Sequence, residues 1–230
     1  MKNNNSMDLT RENEAIRAYL KLLQGKGATS AILHKRSVFL EKLIVYLAGK
    51  ELDGNVYREA IENLMESILA DDWHFALTSA REFYPFWKED IKAIAALNLN
   101  PGFDIEPLQW KPLPASLKSL MESITTEKFD VSETWPLKAY AQALRQEGSE
   151  QSLVNTRTKL AKIILVRLKN APVKNHKSYR TAVDLTLPLF NIKNNRRLFL
   201  VVVREFYHFW IGNPDASSMV LKDGSGNILL

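Results

Sequence analysis

The sequence REFYPFW occupies residues 81–87, and REFYHFW occupies residues 204–210. Six of the seven positions are identical, and four of those six are large aromatic residues. A repeated heptad of this kind predicts the last helix of a small bundle that the chain contains twice. Its aromatic side chains are expected to fill the core, because buried aromatics contribute a large apolar area at fixed geometry. The alternative is a platform on which nucleic-acid bases stack.

The similarity extends upstream of the two heptads. Residues 16–48 align with residues 137–169 without a gap at an offset of 121, with 7 of the 33 positions identical and the apolar positions largely matched. The segment YREAI at 57–61 then matches YRTAV at 179–183 at an offset of 122, and the heptads follow at an offset of 123. Because the matches keep their order through separate blocks, they indicate an internal duplication.

Each copy is predicted to form four amphipathic helices, because apolar residues recur at spacings of three and four. The predicted helices of the first copy span residues 13–24, about 30–48, about 57–68, and a last stretch that ends with the heptad. Asp71 or Asp72 is expected to be the N-cap of the last helix. Pro85 is expected to kink or end it, because proline lacks the amide hydrogen. In the second copy the last helix is expected to reach Gly212.

The sequence therefore predicts an all-α fold of two tandem four-helix bundles joined by a proline-rich connector. The connector contains Pro101, Pro107, Pro112 and Pro114, which exclude a continuous helix and favour an extended segment. Trp110 is expected to anchor it, and a short helix is expected from Ala115 to about Ile124. The predicted organisation is a disordered head at 1–12, bundles at 13–88 and 134–211, the connector at 89–133, and a tail at 212–230.

Composition excludes several classes of function. The chain has no cysteine, which excludes disulfides, thiolate catalysis and thiolate zinc sites. The four histidines are scattered, and there is no glycine-rich phosphate loop or nucleophile elbow. The protein is therefore not predicted to be an enzyme, and no cofactor or metal is expected. The segment MKNNNSMD lacks the apolar region of a signal peptide, and no apolar run is long enough to cross a bilayer. A cytoplasmic location without a membrane partner is expected.

Positive charge is concentrated in the second copy. Residues 134–211 contain 14 Lys and Arg against 4 Asp and Glu, whereas residues 13–88 contain 10 of each. Residues 89–133 contain 4 basic residues against 8 acidic ones. Similar folds that face similar solvent need not diverge this far, so the difference favours binding of a polyanion by the second copy. The alternatives are a solvated face or an acidic protein partner.

The candidate nucleic-acid-binding residues are basic side chains expected on the outside of the second bundle. Arg157 and Lys162 fall off the predicted core stripe of their helix, so both are expected to face solvent. For Arg204, and for Arg81 in the first copy, a salt bridge inside the bundle is the alternative. The full set is Arg157, Lys159, Lys162, Lys174, Lys177, Arg180, Arg196, Arg197 and Arg204.

Two segments of the second copy carry a resemblance to a known family. They are LKAYAQALRQEGSEQSLVNTRTKLAKIILVRL at residues 137–168 and RRLFLVVVREFYHFWIGNPDA at residues 196–216. The pattern in each copy resembles the core-binding domain of tyrosine recombinases and phage integrases, also described as an integrase SAM-like domain, and the resemblance covers both copies. The resemblance implies a small helical bundle whose helices face the DNA groove while basic side chains bind phosphate.

The departures from this family concern catalysis. Recombinases cut DNA with a separate C-terminal domain that supplies a tyrosine nucleophile and a His-x-x-Arg motif. Only 19 residues follow Ile211, and none of the four histidines begins such a motif. The strand-cleaving chemistry is therefore expected to be absent from this chain, and a fragment of a longer protein would have the same appearance.

The expected function is non-catalytic DNA binding, of mobile-element or site-specific-recombination type. The second bundle would bind DNA, with duplex favoured over single strands, and the neutral first bundle would pack against it or recruit a protein partner. The alternative is an all-helical adaptor or scaffold that binds another protein and no nucleic acid.

Overall fold

The computed structural model describes residues 9–99 and 110–220. This part of the chain is all-α, as predicted, with no β-strand, and the chain divides into two compact units between residues 108 and 109. The helices of the first unit are α1 (Thr10–Gly25), α2 (Ser30–Leu47), α3 (Gly54–Met65), α4 (Trp73–Trp87) and α5 (Ile91–Leu99). The helices of the second unit are α6 (Leu117–Thr126), α7 (Val131–Gln146), α8 (Gln151–Leu168), α9 (His176–Asp184) and α10 (Lys193–Trp210).

The first two helices of the predicted bundles have matching bounds. Helices α1 and α7 each contain 16 residues, α2 and α8 each contain 18, and both pairs are displaced by 121 positions. The turn after the first helix of each pair contains a glycine with positive φ, at +91° for Gly27 and +84° for Gly148. A side chain at either position would strain the backbone, so these glycines fix the turn that leads into the next helix.

Helix α4, the last helix of the first predicted bundle, differs from its prediction at both ends. Asp72 is the N-cap residue of α4, but its carboxylate accepts a hydrogen bond from Lys35 Nζ at 2.8 Å and does not cap the helix. Helix α4 continues through Pro85 and ends at Trp87. Proline is tolerated there because it lies two residues from the end, where only one backbone hydrogen bond of the helix is lost.

The aromatic heptads lie in the cores of the two units, as predicted. Phe83, Trp87 and Phe206 are buried, and Trp210 is half-buried. The buried rings are therefore not available as the base-stacking platform that was the alternative interpretation, whereas Trp210 keeps part of its surface exposed.

A tyrosine joins α3 to α4 in the first unit and α9 to α10 in the second. The Tyr57 hydroxyl donates a hydrogen bond to the Ala80 carbonyl at 2.7 Å, and the Tyr179 hydroxyl donates one to the Val203 carbonyl at 2.6 Å. Both hydroxyls are buried, so each bond satisfies a polar group that would otherwise be costly to bury.

A buried Tyr–Arg–Glu cluster lies at the centre of the first unit. The Tyr19 hydroxyl donates to the Glu82 carboxylate at 2.8 Å, and Arg36 donates to both of these side chains. Arg36 is 1% exposed and comes from α2, whereas its two partners come from α1 and α4. Because a charge buried at this depth needs a counter-charge, the cluster fixes how the three helices pack.

The second unit contains the same cluster, and this corrects the prediction for Arg157. The side chain of Arg157 is 1% exposed, and its Nη1 atom lies 3.1 Å from Glu205 Oε2. The Tyr140 hydroxyl donates to the same carboxylate at 2.6 Å. The expectation that Arg157 faces solvent is therefore wrong, because the buried face of α8 is wider than the predicted core stripe of this helix. Glu205 on α10 supplies the counter-charge that stabilises Arg157 on this buried face.

The predicted connector contributes helices to both units. Helix α5 packs on α4, and α6 packs on α8 with Leu120 and Ile124 buried. Residues 110–116 form no helix, and Trp110 is half-buried. Residues 100–109, with Pro101 and Pro107, lie outside the described residues, as do residues 1–8 of the predicted head and residues 221–230 of the tail. The described part of the tail forms a short 3₁₀ turn, Ala216–Met219, against α10.

Arg167 on α8 connects the segment before α6 to the rest of the second unit. Its Nε donates to Thr186 Oγ1 at 3.1 Å, and its Nη atoms donate to the backbone carbonyls of Leu113 and Leu185. One buried guanidinium thus satisfies acceptors from two separate loops, which orders both of them.

Candidate nucleic-acid interface

The eight predicted basic residues other than Arg157 lie on or beside three helices of the second unit. Lys159 and Lys162 are on α8, Lys174 immediately precedes α9, Lys177 and Arg180 are on α9, and Arg196, Arg197 and Arg204 are on α10. The exposed ones are Lys159, Lys174, Lys177, Arg180 and Arg197, and the half-buried ones are Lys162, Arg196 and Arg204. The predicted set is therefore distributed over several helices, with Arg157 removed from it.

Lys174 and Arg196 contact acceptors of the second unit. Lys174 Nζ lies 3.6 Å from the carboxylate of Glu133, and Arg196 Nη1 donates to the Phe190 carbonyl at 2.9 Å. A cation that is held by its own chain contributes less to binding a phosphate, because that contact must be weakened first. These two are therefore weaker candidates than Lys162.

Lys162 lies in a groove between α7 and α8, which we call the α7–α8 groove. Its volume is about 590 Å³. The residues that line it are Phe129, Thr134, Leu137, Lys138, Ala141, Gln142, Arg145, Thr158 and Lys162. Three of these nine residues are cationic and none is acidic, so the groove presents positive charge on both walls.

The three cations of the groove are held in different ways. Lys162 Nζ lies 5.7 Å from the centroid of the Phe129 ring, within the range of a cation–π contact. Arg145 Nε donates to Gln151 Oε1 at 3.3 Å, which leaves the other donors of its guanidinium for a ligand. Lys138 is exposed on α7. The groove therefore combines one partly oriented arginine with two lysines.

The threonines of the groove are less suited to donate to a ligand. Thr134 Oγ1 donates to the Asp130 carbonyl at 2.7 Å, and Thr158 Oγ1 donates to the Val154 carbonyl at 2.7 Å. Because each hydroxyl hydrogen is used within its own helix, an anion in the groove would be bound mainly by the three cations.

The first unit carries a different charge at the matching positions. The offset of 121 pairs the groove cations with Arg17, Gln24 and Glu41, in chain order. Glu41 is exposed and accepts a hydrogen bond from Ser37 Oγ at 2.7 Å. One cation, one neutral amide and one carboxylate thus replace three cations. Lys21 is paired with Gln142, so the first unit keeps two cations on this face and the second unit has the larger positive charge.

Sequence reasoning did not select Lys138 and Arg145, which line the groove with Lys162. The candidate residues were chosen by the density of basic residues from Arg157 onward. Which helices share a groove is not visible in that density. A usable signal was present in the alignment of the two copies, where Glu41 is paired with Lys162 and Gln24 with Arg145. A charge that changes at matched positions marks a surface more directly than a count over a segment.

Comparisons with protein-family models, curated proteins and solved structures give no match for this chain. The resemblance to recombinase core-binding domains therefore depends on the sequence pattern alone. Over residues 9–99 and 110–220, no cluster of three or more His, Cys, Asp or Glu side chains could hold a metal ion. In the same part of the chain, no helix has the length and apolar character needed to cross a membrane.

Proposed function

We propose that the protein is a non-catalytic DNA-binding protein of recombination or mobile-element type, built from two duplicated core-binding-like bundles. The second bundle binds the phosphates of duplex DNA, and the α7–α8 groove is the central contact. The observation that carries the proposal is the lining of this groove, which contains three cations and no carboxylate.

The duplication is supported by contacts that recur in the two units. Each contains a buried cluster of tyrosine, arginine and glutamate from its first, second and last bundle helices. Each also contains a second tyrosine whose hydroxyl donates to a carbonyl of the last helix. These contacts involve identical residue types at the aligned positions, as expected when one ancestral bundle has been copied.

The charge of the two units supports binding by the second one. Residues 110–220 contain 17 Lys and Arg against 9 Asp and Glu, whereas residues 9–99 contain 12 against 13. The contrast persists when the flanking helices α5 and α6 are included with the bundles. Positive potential concentrated on one unit attracts DNA at long range, and the groove cations provide the close contacts.

The spacing of the groove cations fits a nucleic-acid strand. Lys138 and Arg145 are seven residues apart on α7, which is about 10.5 Å along the helix axis. Phosphates recur about every 3.4 Å along the axis for each strand of B-DNA, so the two side chains can reach different phosphates of one strand. Lys162 adds a third cation from the opposite wall of the groove.

The proposal is tested by reversing the three groove charges in Lys138→Glu, Arg145→Glu, Lys162→Glu. Binding of a labelled duplex is measured by fluorescence anisotropy at several salt concentrations. The wild-type affinity should fall steeply with salt, and the variant should lose roughly three phosphate contacts. The slope of log K against log salt should then become shallower by about 2.7, at 0.9 for each phosphate.

The first unit provides a charge-matched control. Arg17, Lys21 and Lys42 are exposed basic residues of α1 and α2, and their reversal to Glu changes the net charge by the same amount. If binding uses the α7–α8 groove, the control should retain most of the wild-type affinity and slope. Equal losses in the two triple variants would reject the groove as the interface, and a wild-type chain that binds no duplex at low salt would reject the function.

A second candidate function, a protein-binding adaptor, is favoured by one face of the first unit. Val38, Val45 and Tyr46 are exposed apolar residues of α2, and the first and second lie two turns apart on the same side. A protein partner could cover this face, whereas DNA gains little from it. Triple substitution Val38→Ser, Val45→Ser, Tyr46→Ser should leave DNA binding unchanged and should abolish capture of a protein partner by the adaptor.

A further inference from the structure

Trp135 is the most exposed tryptophan of the described residues. Its relative exposure is 70%, whereas Trp73 and Trp87 are buried and Trp110 and Trp210 are half-buried. Large aromatic side chains normally remove apolar area from water, so this exposed indole leaves an aromatic face open to a ligand.

The position of Trp135 on α7 places it at the edge of the α7–α8 groove. Lys138 follows it by three residues and Gln142 by seven, so both lie on the same side of the helix within two turns of the indole. Both residues line the groove. An aromatic ring thus stands beside a row of polar and cationic groups, and proteins that bind single strands combine aromatic side chains with a positively charged groove.

The carboxylates closest in sequence to Trp135 are already engaged. Asp130 accepts hydrogen bonds from Ser132 Oγ at 2.6 Å and from the Glu133 amide at 3.0 Å, and these bonds lower the pKa of Asp130. The Glu133 carboxylate accepts from the Asp130 amide at 3.1 Å and has Lys174 Nζ at 3.6 Å. Lys174 offsets the charge of Glu133, and the three groove cations outnumber the ionised Asp130, so a polyanion can approach.

The first unit lacks this combination. The offset of 121 pairs Trp135 with Glu14, which is exposed on α1. A carboxylate has no aromatic face for a base and repels phosphate. The indole and the groove cations therefore occur together, in one of the two units.

We propose that the second unit binds single-stranded DNA, with an unpaired base stacked on Trp135 and the neighbouring phosphates in the α7–α8 groove. Bases of a duplex are stacked on one another and cannot offer a face to the indole, so the tryptophan distinguishes an unpaired strand from a duplex. This inference rests on the proposed function, since the same groove binds the phosphates in either case.

The test compares Trp135→Ala with the wild-type chain on two probes at several salt concentrations. The probes are a labelled 12-nucleotide oligo-thymidine and a labelled 12-base-pair duplex, both followed by fluorescence anisotropy. Affinity for the single strand should fall roughly tenfold, because one base–aromatic stack is lost. Affinity for the duplex should change less than about twofold, and the salt slope should not change on either probe, because no phosphate contact is removed.

Two further variants separate stacking from other effects. Trp135→Phe keeps an aromatic face and should retain most of the single-strand affinity. Val131 is 73% exposed one helical turn before Trp135, and Val131→Ala should alter neither affinity because it removes apolar area without a π-face. Reversal of the three groove charges should lower the affinity for both probes.

The outcomes distinguish this inference from the function on which it rests. If the groove reversal weakens both probes while Trp135→Ala weakens neither, or weakens both equally, the stacking site is rejected and the phosphate groove stands. If the wild-type chain binds neither probe, the proposed function fails and the stacking site fails with it. If Trp135→Ala instead abolishes self-association measured by light scattering and leaves both DNA affinities intact, the indole is a protein contact and the inference is overturned.

Discussion

The two units resemble each other inside and differ outside. Arg36 and Arg157 are both 1% exposed and both contact a glutamate of the last bundle helix, whereas Glu41 and Lys162 occupy matched positions on the surface with opposite charge. A buried ion pair resists change because losing one partner strands the other charge. A surface position can change sign at little cost to stability. The interiors of the two units therefore share their buried contacts, and their surfaces differ in charge.

The largest effect should come from breaking the buried ion pair. Glu205→Gln keeps the shape of the side chain but leaves Arg157 without a counter-charge, which should lower the free energy of unfolding by about 3–5 kcal/mol. Glu82→Gln should cost less, because the Glu82 side chain is 13% exposed and that of Glu205 is 3% exposed. Urea denaturation followed by circular dichroism measures both changes.

A double variant provides the control for this prediction. Replacing both partners, as in Arg157→Met with Glu205→Leu, removes the unpaired charge and should recover much of the stability lost in Glu205→Gln. If Glu82→Gln proves as costly as Glu205→Gln, the difference in burial between the two clusters has no energetic consequence.

High pH should destabilise the two units to a similar degree. Burial raises the pKa of Tyr19 and Tyr57 in the first unit and of Tyr140 and Tyr179 in the second. Above about pH 10 the unfolded chain loses tyrosine protons that the folded chain retains. The free energy of unfolding should therefore be fully maintained below pH 10 and should fall above it, by about 1.4 kcal/mol per pH unit for each such tyrosine.

Urea midpoints at pH 9, 10 and 11 measure this slope. Tyr57→Phe and Tyr179→Phe should each reduce the slope by about 1.4 kcal/mol per pH unit, the contribution of one tyrosine proton. The two reductions should be equal if the two sites are equivalent. A slope that responds to Tyr179→Phe and not to Tyr57→Phe would show that the anchoring tyrosines are not equivalent.

The smallest effect should come from giving the first unit part of the charge of the second. Glu41→Lys places a cation at the position matched to Lys162, and duplex affinity should rise by roughly two- to threefold with a steeper salt slope. Glu59 is exposed on α3, and Glu59→Lys makes the same charge change away from this face. Equal gains in the two variants would indicate that net charge, and not the position matched to Lys162, governs binding.

Much of the fold was predictable from the sequence because periodicity and the repeat agree. The bounds of α2 and α8 follow from apolar spacing and from the turns before them, and the heptad ends α4 at Trp87. Helix α10 ends at Trp210, two residues before the expected Gly212. Helix α5 was missed, because the proline-rich composition of the connector outweighed the apolar residues of Ile91–Leu99. Local sequence does not reveal that these residues can pack on a neighbouring helix.

The candidate site was less predictable. Arg157 was assigned to the surface because it falls off the predicted core stripe of its helix, and only the tertiary fold brings Glu205 and Tyr140 to it. Lys138 and Arg145 required knowledge that α7 and α8 form two walls of one groove. Such contacts join residues that are distant in sequence, so a reading of one helix at a time cannot find them.

The contacts of Arg167 decide where the second unit can be separated from the rest of the chain. An excised fragment that begins at residue 134 would lack α6 and the Leu113 carbonyl, and it would leave this guanidinium with a missing acceptor beside the uncovered face of α8. A fragment that begins at Trp110 keeps both. For expression of the second unit alone, residue 110 is therefore the sound starting point, 24 residues earlier than the repeat suggests.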